Sequence, residues 1–359
     1  MNNTSEDTAD DTTDVMRQRM SEDDRAQWDA IQEWKDKQLR PSKAGVIVQR
    51  IRSYVLAPLT LAMKAARRIP GGAALLDALE SRVLGALGRA TSAAESSVRR
   101  DRILKAYRKA DNDVECLEDI RGLSLDQIRA VKPNLVVGYA SITATEGAIS
   151  GVLSSGGSVA ALLGLGIASA PGVGITAGAI SLDVITFLAS SSRLVSHTAA
   201  YYGYDTQDPS EVLFSTMVLS QAISPANAGD ELAMEKKTSM LAFNKVMSKL
   251  AKSGSMGTVG NNALSASVNS LFATLGARLV GLKMAQVVPI IGIIVGMVLN
   301  ASLMRTIGVT ADHLYRERLL IERYGQEDSA SDLEEADDED DLDAEVARYI
   351  ELAKAENRG

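Results

Sequence analysis

The sequence has one cysteine, two histidines and few aromatic side chains, and each scarcity excludes a class of protein. Cys116 stands alone, so the chain has neither a disulfide framework nor a thiolate metal cluster, which favours a reducing compartment. His197 and His313 are too few and too isolated to predict a metal site, because such a site needs several converging ligands. We therefore expect no metal and no cofactor.

Catalytic and nucleotide-binding motifs are also missing. The glycine-rich stretch GLGIASAPGVG has no Gly-Lys-Ser or Gly-Lys-Thr and no strand before it, so it is neither a phosphate loop nor a dinucleotide fingerprint. No Gly-x-Ser-x-Gly nucleophile elbow occurs either. The sequence predicts a protein that is not an enzyme. A third interpretation is an unrecognised hydrolase that uses Glu146, Asp183 or His197.

Charge is divided unevenly along the chain, although the net charge is only −8. Residues 1–36 carry eleven acidic and four basic side chains, and residues 326–345 carry twelve acidic side chains and no basic one. Such blocks stay solvated, which predicts a disordered tail over residues 1–20 and an acidic tail over residues 326–359 with a last helix at Asp343–Glu356. The acidic N-terminus does not resemble a secretory signal, so we expect an intracellular protein.

The segment between the acidic ends is basic and helical in pattern. Residues 37–109 carry sixteen Lys and Arg against four acidic residues, which favours an anionic partner. A helix is predicted from Ser21 to Leu39, and residues 21–110 as a whole form a basic amphipathic region. The polar stretch 111–127 is a candidate boundary. The side chains expected to face anionic lipid are Lys43, Arg50, Lys64 and Arg67.

Two long runs carry no charge. Residues 147–182 contain none over 36 positions, and residues 284–304 contain none over 21, about the roughly 20 that cross a bilayer core. Glycines recur four residues apart in these runs, which lets helices approach closely in lipid or in a tightly packed soluble bundle. The pairs are Gly147 and Gly151, Gly174 and Gly178, and Gly292 and Gly296.

The pattern elsewhere is helical, and no stretch alternates with a period of two for long enough to predict a sheet. We therefore predict an all-α helical bundle. Glu146 and Asp183 flank the first run and are functional candidates if that run lies in lipid, whereas a carboxylate at a helix N-terminus is more simply a cap. Asn300 is expected to form a hydrogen bond to a neighbouring helix. The tyrosines around Gly203 mark either a membrane interface or a helix that ends at a glycine, with Pro209 beginning the next element.

Two blocks of the sequence resemble the EcsC protein family. The first comprises Glu146, Gly147, Gly151 and Asp183, followed by YYGYDTQDPSE with Tyr202, Gly203 and Asp205. The second is VPIIGIIVGMVLNASLMRTIGVTADHLY, with Pro289, Gly292, Gly296 and Asn300 before the helix at Ala311–Tyr315. The likeness covers residues 128–325. It implies a mostly helical, membrane-associated bacterial protein from a family named for a protein encoded beside an ABC transporter, and it supplies no catalytic residues.

The leading interpretation is therefore a helical protein on the cytoplasmic side of the cell membrane, peripheral or inserted, with an anionic membrane surface and a membrane transporter as partners. Nucleic acid is disfavoured, because no reading motif or interleaved aromatic residue accompanies the basic segment. The second interpretation is a soluble cytoplasmic domain that binds an apolar ligand or a partner protein in a core of uncharged helices. The oligomeric state is not predicted.

Overall fold

The structure is a computed structural model, and it describes residues 14–39, 93, 96–144, 173–224, 230–253, 261–284, 292–325 and 338–355. These residues are helical almost throughout and contain no strand, which confirms the all-α prediction for this part of the chain. The helices are α1 (Glu22–Leu39), α2 (Arg100–Lys109), α3 (Leu125–Val131), α4 (Leu135–Ala144), α5 (Val173–Tyr201), α6 (Pro209–Ala222), α7 (Asp230–Ser253), α8 (Asn261–Met284), α9 (Gly292–Tyr324) and α10 (Asp338–Ala355).

Helix α9 is the centre of the bundle. It is 33 residues long and packs against α1, α4, α5, α6 and α7. Its C-terminal half carries buried apolar side chains, among them Ala311, Leu314 and Leu320. The same half also carries charged side chains that point into the protein, and these form ion pairs with side chains of the surrounding helices.

Local signals explain where several helices begin. The Ser21 hydroxyl accepts a hydrogen bond from the Asp24 amide at 3.1 Å, which confirms the predicted start of α1. Ser124 and Gln127 form a reciprocal capping box at the start of α3. Asp208 caps α6, with Pro209 in the first turn where its missing amide hydrogen costs nothing.

The helical part of the N-terminal region begins at an earlier residue than its acidic composition predicted. Residues 14–19 are helical, and Met16 and Met20 are buried, although we expected a disordered tail up to residue 20. Arg17 and Asp29 form a bidentate ion pair, with both contacts at 2.7 Å. The composition misled because Met16 and Met20 bury their apolar surface, and an overall composition does not show which residues face inward.

Helix α1 is attached to α9 by buried polar contacts. The Lys35 ammonium lies 2.5 and 2.6 Å from the two carboxylate oxygens of Glu317, and both side chains are less than a tenth exposed. Lys35 also donates to Asn244 of α7 at 2.9 Å. At the other end of α1, Asp24 accepts a hydrogen bond from the Tyr324 hydroxyl at 2.6 Å. Residues 14–39 are therefore part of the folded body.

The last helix is also docked. The predicted helix at Asp343–Glu356 is observed as α10, which packs against α7 and α8. Tyr349 is buried and donates its hydroxyl hydrogen to the Met217 carbonyl at 3.2 Å. Arg278 of α8 donates to the Ala353 carbonyl at 2.6 Å, close to the end of α10. This contact places a guanidinium beside the negative end of the helix dipole.

The polar stretch 111–127 joins the core instead of separating two parts of the described chain. Val114, Leu117 and Ile120 are buried, and they belong to one apolar cluster that extends from Met16 to Ala353. Arg323 of α9 donates to the Leu123 carbonyl at 2.6 Å and to the Arg121 carbonyl at 3.2 Å. The polar residues of this stretch form turns and a short 3-10 helix (Glu118–Gly122) over that apolar anchor.

The uncharged runs are described only in part. Residues 147–172 and 285–291 lie outside the described residues, whereas residues 173–182 belong to α5 and residues 292–304 to α9. Among the helices described here, none has the combination of length and hydropathy that crossing a bilayer requires. Asp183 lies in the interior of α5, so the interpretation of this carboxylate as a cap is wrong: the helix begins ten residues earlier, at Val173.

We expect Lys35→Ala to lower the free energy of unfolding by about 3–5 kcal/mol, because it leaves the Glu317 carboxylate buried without its counter-ion. Urea denaturation followed by circular dichroism measures this. The matched control is Lys37→Ala, two residues along α1, whose ion pair with Glu33 is exposed and should contribute under about 1 kcal/mol. Equal losses in the two variants would refute the role assigned to the buried pair.

Candidate functional site

The turn between α5 and α6 contains the polar residues that the sequence singled out. Helix α5 ends at Tyr201, and Gly203 follows with φ +86°, a left-handed conformation that favours glycine. The amide of Tyr204 donates to the Ala199 carbonyl at 3.0 Å, and that of Gly203 donates to the Ala200 carbonyl at 3.2 Å. These two bonds form a Schellman motif. The helix-ending interpretation of the tyrosine cluster is confirmed, and all three tyrosine side chains are buried.

Glycine is required at position 203 for a second reason. A Cβ atom there would lie 2.7 Å from the Leu117 carbonyl oxygen and 2.8 Å from Cγ of Arg121. The backbone of the 111–127 stretch therefore passes directly against this turn. The glycine sets the distance between the end of α5 and the segment that leads into α3.

Tyr202 connects this turn to α9. Its hydroxyl donates to Oδ1 of Asp312 at 2.8 Å, and Lys132, just after α3, contacts the same oxygen at 2.8 Å. Arg316, one turn along α9, pairs with Oδ2 of Asp312 and donates to Gln27 of α1 at 2.8 Å. One carboxylate thus contacts three side chains, and Arg316 links this cluster to α1.

The electrostatics of this cluster keep Asp312 ionised. Burial alone would raise the pKa of Asp312, but Arg316 and Lys132 together hold it below its ordinary value. Burial raises the pKa of Tyr202 well above that of a free tyrosine, so the phenol stays protonated and acts as a donor. The side chains of Asp312, Lys132 and Arg316 are 16–18 % exposed, so they can be reached from solvent.

A cavity of about 300 Å³ opens beside this cluster. Its apolar wall includes Val136, where α4 crosses α9 at Gly308. A Cβ at Gly308 would lie 2.6 Å from Cγ2 of Val136, so the two helices approach closely at this point. The charged lining is formed by Arg129, Lys132, Asp312 and Arg316.

A second charged cluster lies behind the turn and is sealed in the core. Arg318 is 2 % exposed, and its guanidinium lies 2.7 Å from Glu211 and 3.2 Å from Glu322. It also stacks against two rings, 4.3 Å from the Tyr204 centroid and 4.6 Å from the Phe214 centroid. Burial raises the pKa of Glu211, and Arg318 opposes that shift. This buried cluster joins α6 to α9.

Both histidines lie in helices and are partly buried. His313 stacks on Trp34 with ring centroids 4.6 Å apart, and its Nδ1 donates to the Val309 carbonyl at 2.8 Å. His197 lies with Nδ1 3.3 Å from the Tyr139 hydroxyl. Burial lowers the pKa of His313 and lowers that of His197 to about 4, so both rings are neutral near pH 7. Within the described ranges, no group of three His, Cys, Asp or Glu side chains could hold a metal ion.

The structure accounts for some of the sequence-predicted site residues. Tyr202 and Gly203 lie at the cluster, and Asp205 pairs with Arg100 of α2 at 2.6 Å on the far side of the turn. Asp183, Gly292, Gly296 and Asn300 lie within helices, well away in sequence from the contacts described here. The remaining candidates fall outside the described residues: Glu146, Gly147, Gly151, Pro289, Lys43, Arg50, Lys64 and Arg67.

Sequence reasoning missed Lys132, Asp312, Arg316 and the buried residues Glu317 and Arg318. One signal could have identified them. The run DHLYRERLLIER places charges on every side of a helix whose neighbours are apolar, and pairs four residues apart, such as Asp312 and Arg316, fall on one face. A helix with charge around its whole circumference must bury some of it, and buried charge requires partners.

One comparison with known proteins matches a part of the chain that includes the turn and most of α9. Residues 164–320 match the model of the EcsC protein family. The match includes Tyr202, Gly203, Asp205, Asp312 and Arg316, and it confirms the resemblance noted from the sequence over those residues. No curated protein and no solved structure matches the chain significantly.

We expect Gly203→Ala to lower the free energy of unfolding by more than about 2 kcal/mol. The left-handed backbone alone costs roughly 1 kcal/mol, and the contact with the Leu117 carbonyl adds to it. Gly276→Ala in α8 is the control, because a Cβ there meets nothing within 4 Å and alanine favours a helix by up to about 1 kcal/mol. Thermal unfolding of both variants measures this difference. Equal stability of Gly203→Ala and Gly276→Ala would contradict the requirement for glycine at position 203.

Stability should also fall on acidification because of His197. Its pKa is about 4 when folded and near 6.5 when unfolded, so the unfolded chain takes up the proton first as pH falls below 6.5. The loss between pH 7 and pH 5 should be about 1–2 kcal/mol for this partly buried ring. His197→Asn should reduce the pH dependence of the unfolding free energy by that amount. An unchanged dependence in urea titrations at the two pH values would rule out this origin.

Proposed function

From the match of residues 164–320 to the EcsC protein family, we propose that this chain is a non-catalytic, membrane-associated helical protein of that family, held on an anionic bilayer surface at the cytoplasmic side of the cell membrane. The observation that carries the proposal is the charge distribution of α2 and the segment before it. The family match itself names no activity, so the argument depends on the surface chemistry of this chain.

Helix α2 is amphipathic and presents cations outward. Ile103 and Tyr107 are buried, and the Tyr107 hydroxyl donates to the Tyr201 carbonyl at 2.6 Å, so this face is fixed to the end of α5. Exposed basic residues follow one another at spacings of three and four along the solvent side, beginning at Arg99, which immediately precedes α2. We call these residues, Arg99, Arg102, Lys105 and Lys109, the basic stripe.

The basic stripe continues the charge of the chain before it. Residues 37–109 have a balance of sixteen basic to four acidic residues, and the stripe is the exposed, described end of that segment. Each Lys or Arg close to an anionic bilayer contributes about 1 kcal/mol, so four together contribute about 4 kcal/mol. The acidic block at residues 326–345 would be repelled by the same surface, so the attraction comes from the basic segment and not from the chain as a whole.

The transporter partner implied by the family resemblance enters the proposal at this surface. A protein held on the inner leaflet meets membrane partners by diffusion in two dimensions, without needing a helix that crosses the bilayer. We therefore propose a membrane transporter as the partner class to search for by crosslinking in intact membranes.

The test is flotation of the purified full chain with vesicles. We expect binding to vesicles that contain 30 % phosphatidylglycerol and not to vesicles of phosphatidylcholine alone, with release as salt is raised because the attraction is screened. Arg102→Glu with Lys109→Glu should reduce the bound fraction several-fold. The matched control is Lys237→Glu with Arg348→Glu, two exposed cations elsewhere, which makes the same change in net charge.

Three outcomes would reject the proposal. One is equal binding of the two double variants, because the attraction would then follow net charge and not the basic stripe. A second is displacement from vesicles by a short DNA duplex at equal phosphate concentration, which would show nucleic acid as the preferred partner. Retention of the wild-type chain in membranes after an alkaline carbonate wash would contradict a charge-held attachment.

A further inference from the structure

The cavity at Asp312 has more positive than negative charge. Arg129, Lys132 and Arg316 line it, against the single carboxylate of Asp312, and His313 at its edge is neutral. Arg129 also pairs with Asp126 at 3.3 Å, but both side chains are more than half exposed, and such surface pairs contribute little. The lining therefore has an excess of about two positive charges, an arrangement that attracts an anion.

The cations differ in what they can still bind. Arg316 uses its three nitrogens on Asp312, Gln27 and the Tyr202 hydroxyl. It therefore neutralises and positions the carboxylate. Lys132 has three ammonium hydrogens and gives one to Asp312. Lys132 and Arg129 are accordingly the two lining residues whose N–H groups can bind a ligand. Both lie shortly before α4, which begins at Leu135.

The cavity is small and its opposite wall is apolar. Its volume of about 300 Å³ is at the lower end for small-molecule sites, and Val136 and Val309 line it beside Gly308. Such a space accepts a compact polar group with a short carbon body. An extended apolar ligand does not fit this space.

From this geometry we propose that the cavity binds a phosphate monoester, with Lys132 and Arg129 contacting the phosphate and Val136 contacting the carbon body. A phosphate monoester carries about −1.5 to −2 charges near pH 7, which matches the excess of the lining, whereas a monocarboxylate would leave one charge uncompensated. The phosphate can come from a soluble metabolite or from a lipid headgroup. The inference rests on the cavity alone and does not need the basic stripe to bind a membrane.

Isothermal titration calorimetry of the full chain tests this with three probes: inorganic phosphate, glycerol 1-phosphate and dihexanoyl phosphatidic acid below its micelle concentration. We expect saturable binding of glycerol 1-phosphate or the short-chain lipid. Arg129→Gln and Lys132→Gln should each weaken it at least tenfold, because a charge-assisted hydrogen bond to phosphate is lost. Circular dichroism establishes that each variant is folded, and Arg129→Gln alters only an exposed side chain.

The matched control is Arg348→Gln. This residue is 57 % exposed and pairs with an acidic residue three positions away, as the 52 % exposed Arg129 does, but it lies on α10. Binding that Arg348→Gln leaves intact and Arg129→Gln weakens supports the site. Binding of the lipid alone assigns a headgroup as the source, and binding of glycerol 1-phosphate assigns a soluble ester. Absence of binding for all three probes, or equal weakening by both arginine variants, overturns the proposal.

Discussion

The need to pair buried charge on α9 is the constraint on which the rest of the structure depends. Glu317 and Arg318 are adjacent in sequence, so they leave the helix in different directions, and each is about 2 % exposed. An isolated charge at such a position costs several kcal/mol, which is recovered only in good geometry with a counter-ion. Lys35 of α1 meets the first and Glu211 of α6 meets the second. Helices from the start and the middle of the chain are thereby fixed in register around one central helix.

The sequence predicted those features of the fold that local chemistry decides. The helical class follows from the hydrophobic period, and Ser21, Gly203 and Pro209 mark helix ends because capping and φ preferences act within a few residues. The docking of α1 and α10 against the core could not be predicted in the same way. Composition averages over all sides of a helix, whereas docking depends on the few residues that face inward, such as Met16 and Tyr349.

The sequence predicted some residues of the candidate site and missed others. Tyr202 and the helix at Ala311–Tyr315 were identified as separate blocks, and the fold brings them together through the hydrogen bond between Tyr202 and Asp312. Lys132 was not identified, because nothing in its local sequence distinguishes it from the many surface lysines and arginines. Its role comes from a contact with a residue 180 positions later, a pairing that propensity and spacing do not encode.

The docking of α1 has a consequence for the order in which the chain can assemble. Lys35 and Glu317 are separated by 282 residues, so an emerging chain presents the inward face of α1, with Trp28 and Ile31, long before its acceptor exists. Contacts of such long sequence separation form late and leave apolar surface uncovered in the meantime. We expect the eleven acidic side chains of residues 1–36 to keep that helix hydrated while it waits, which gives the charge of this segment a role during synthesis.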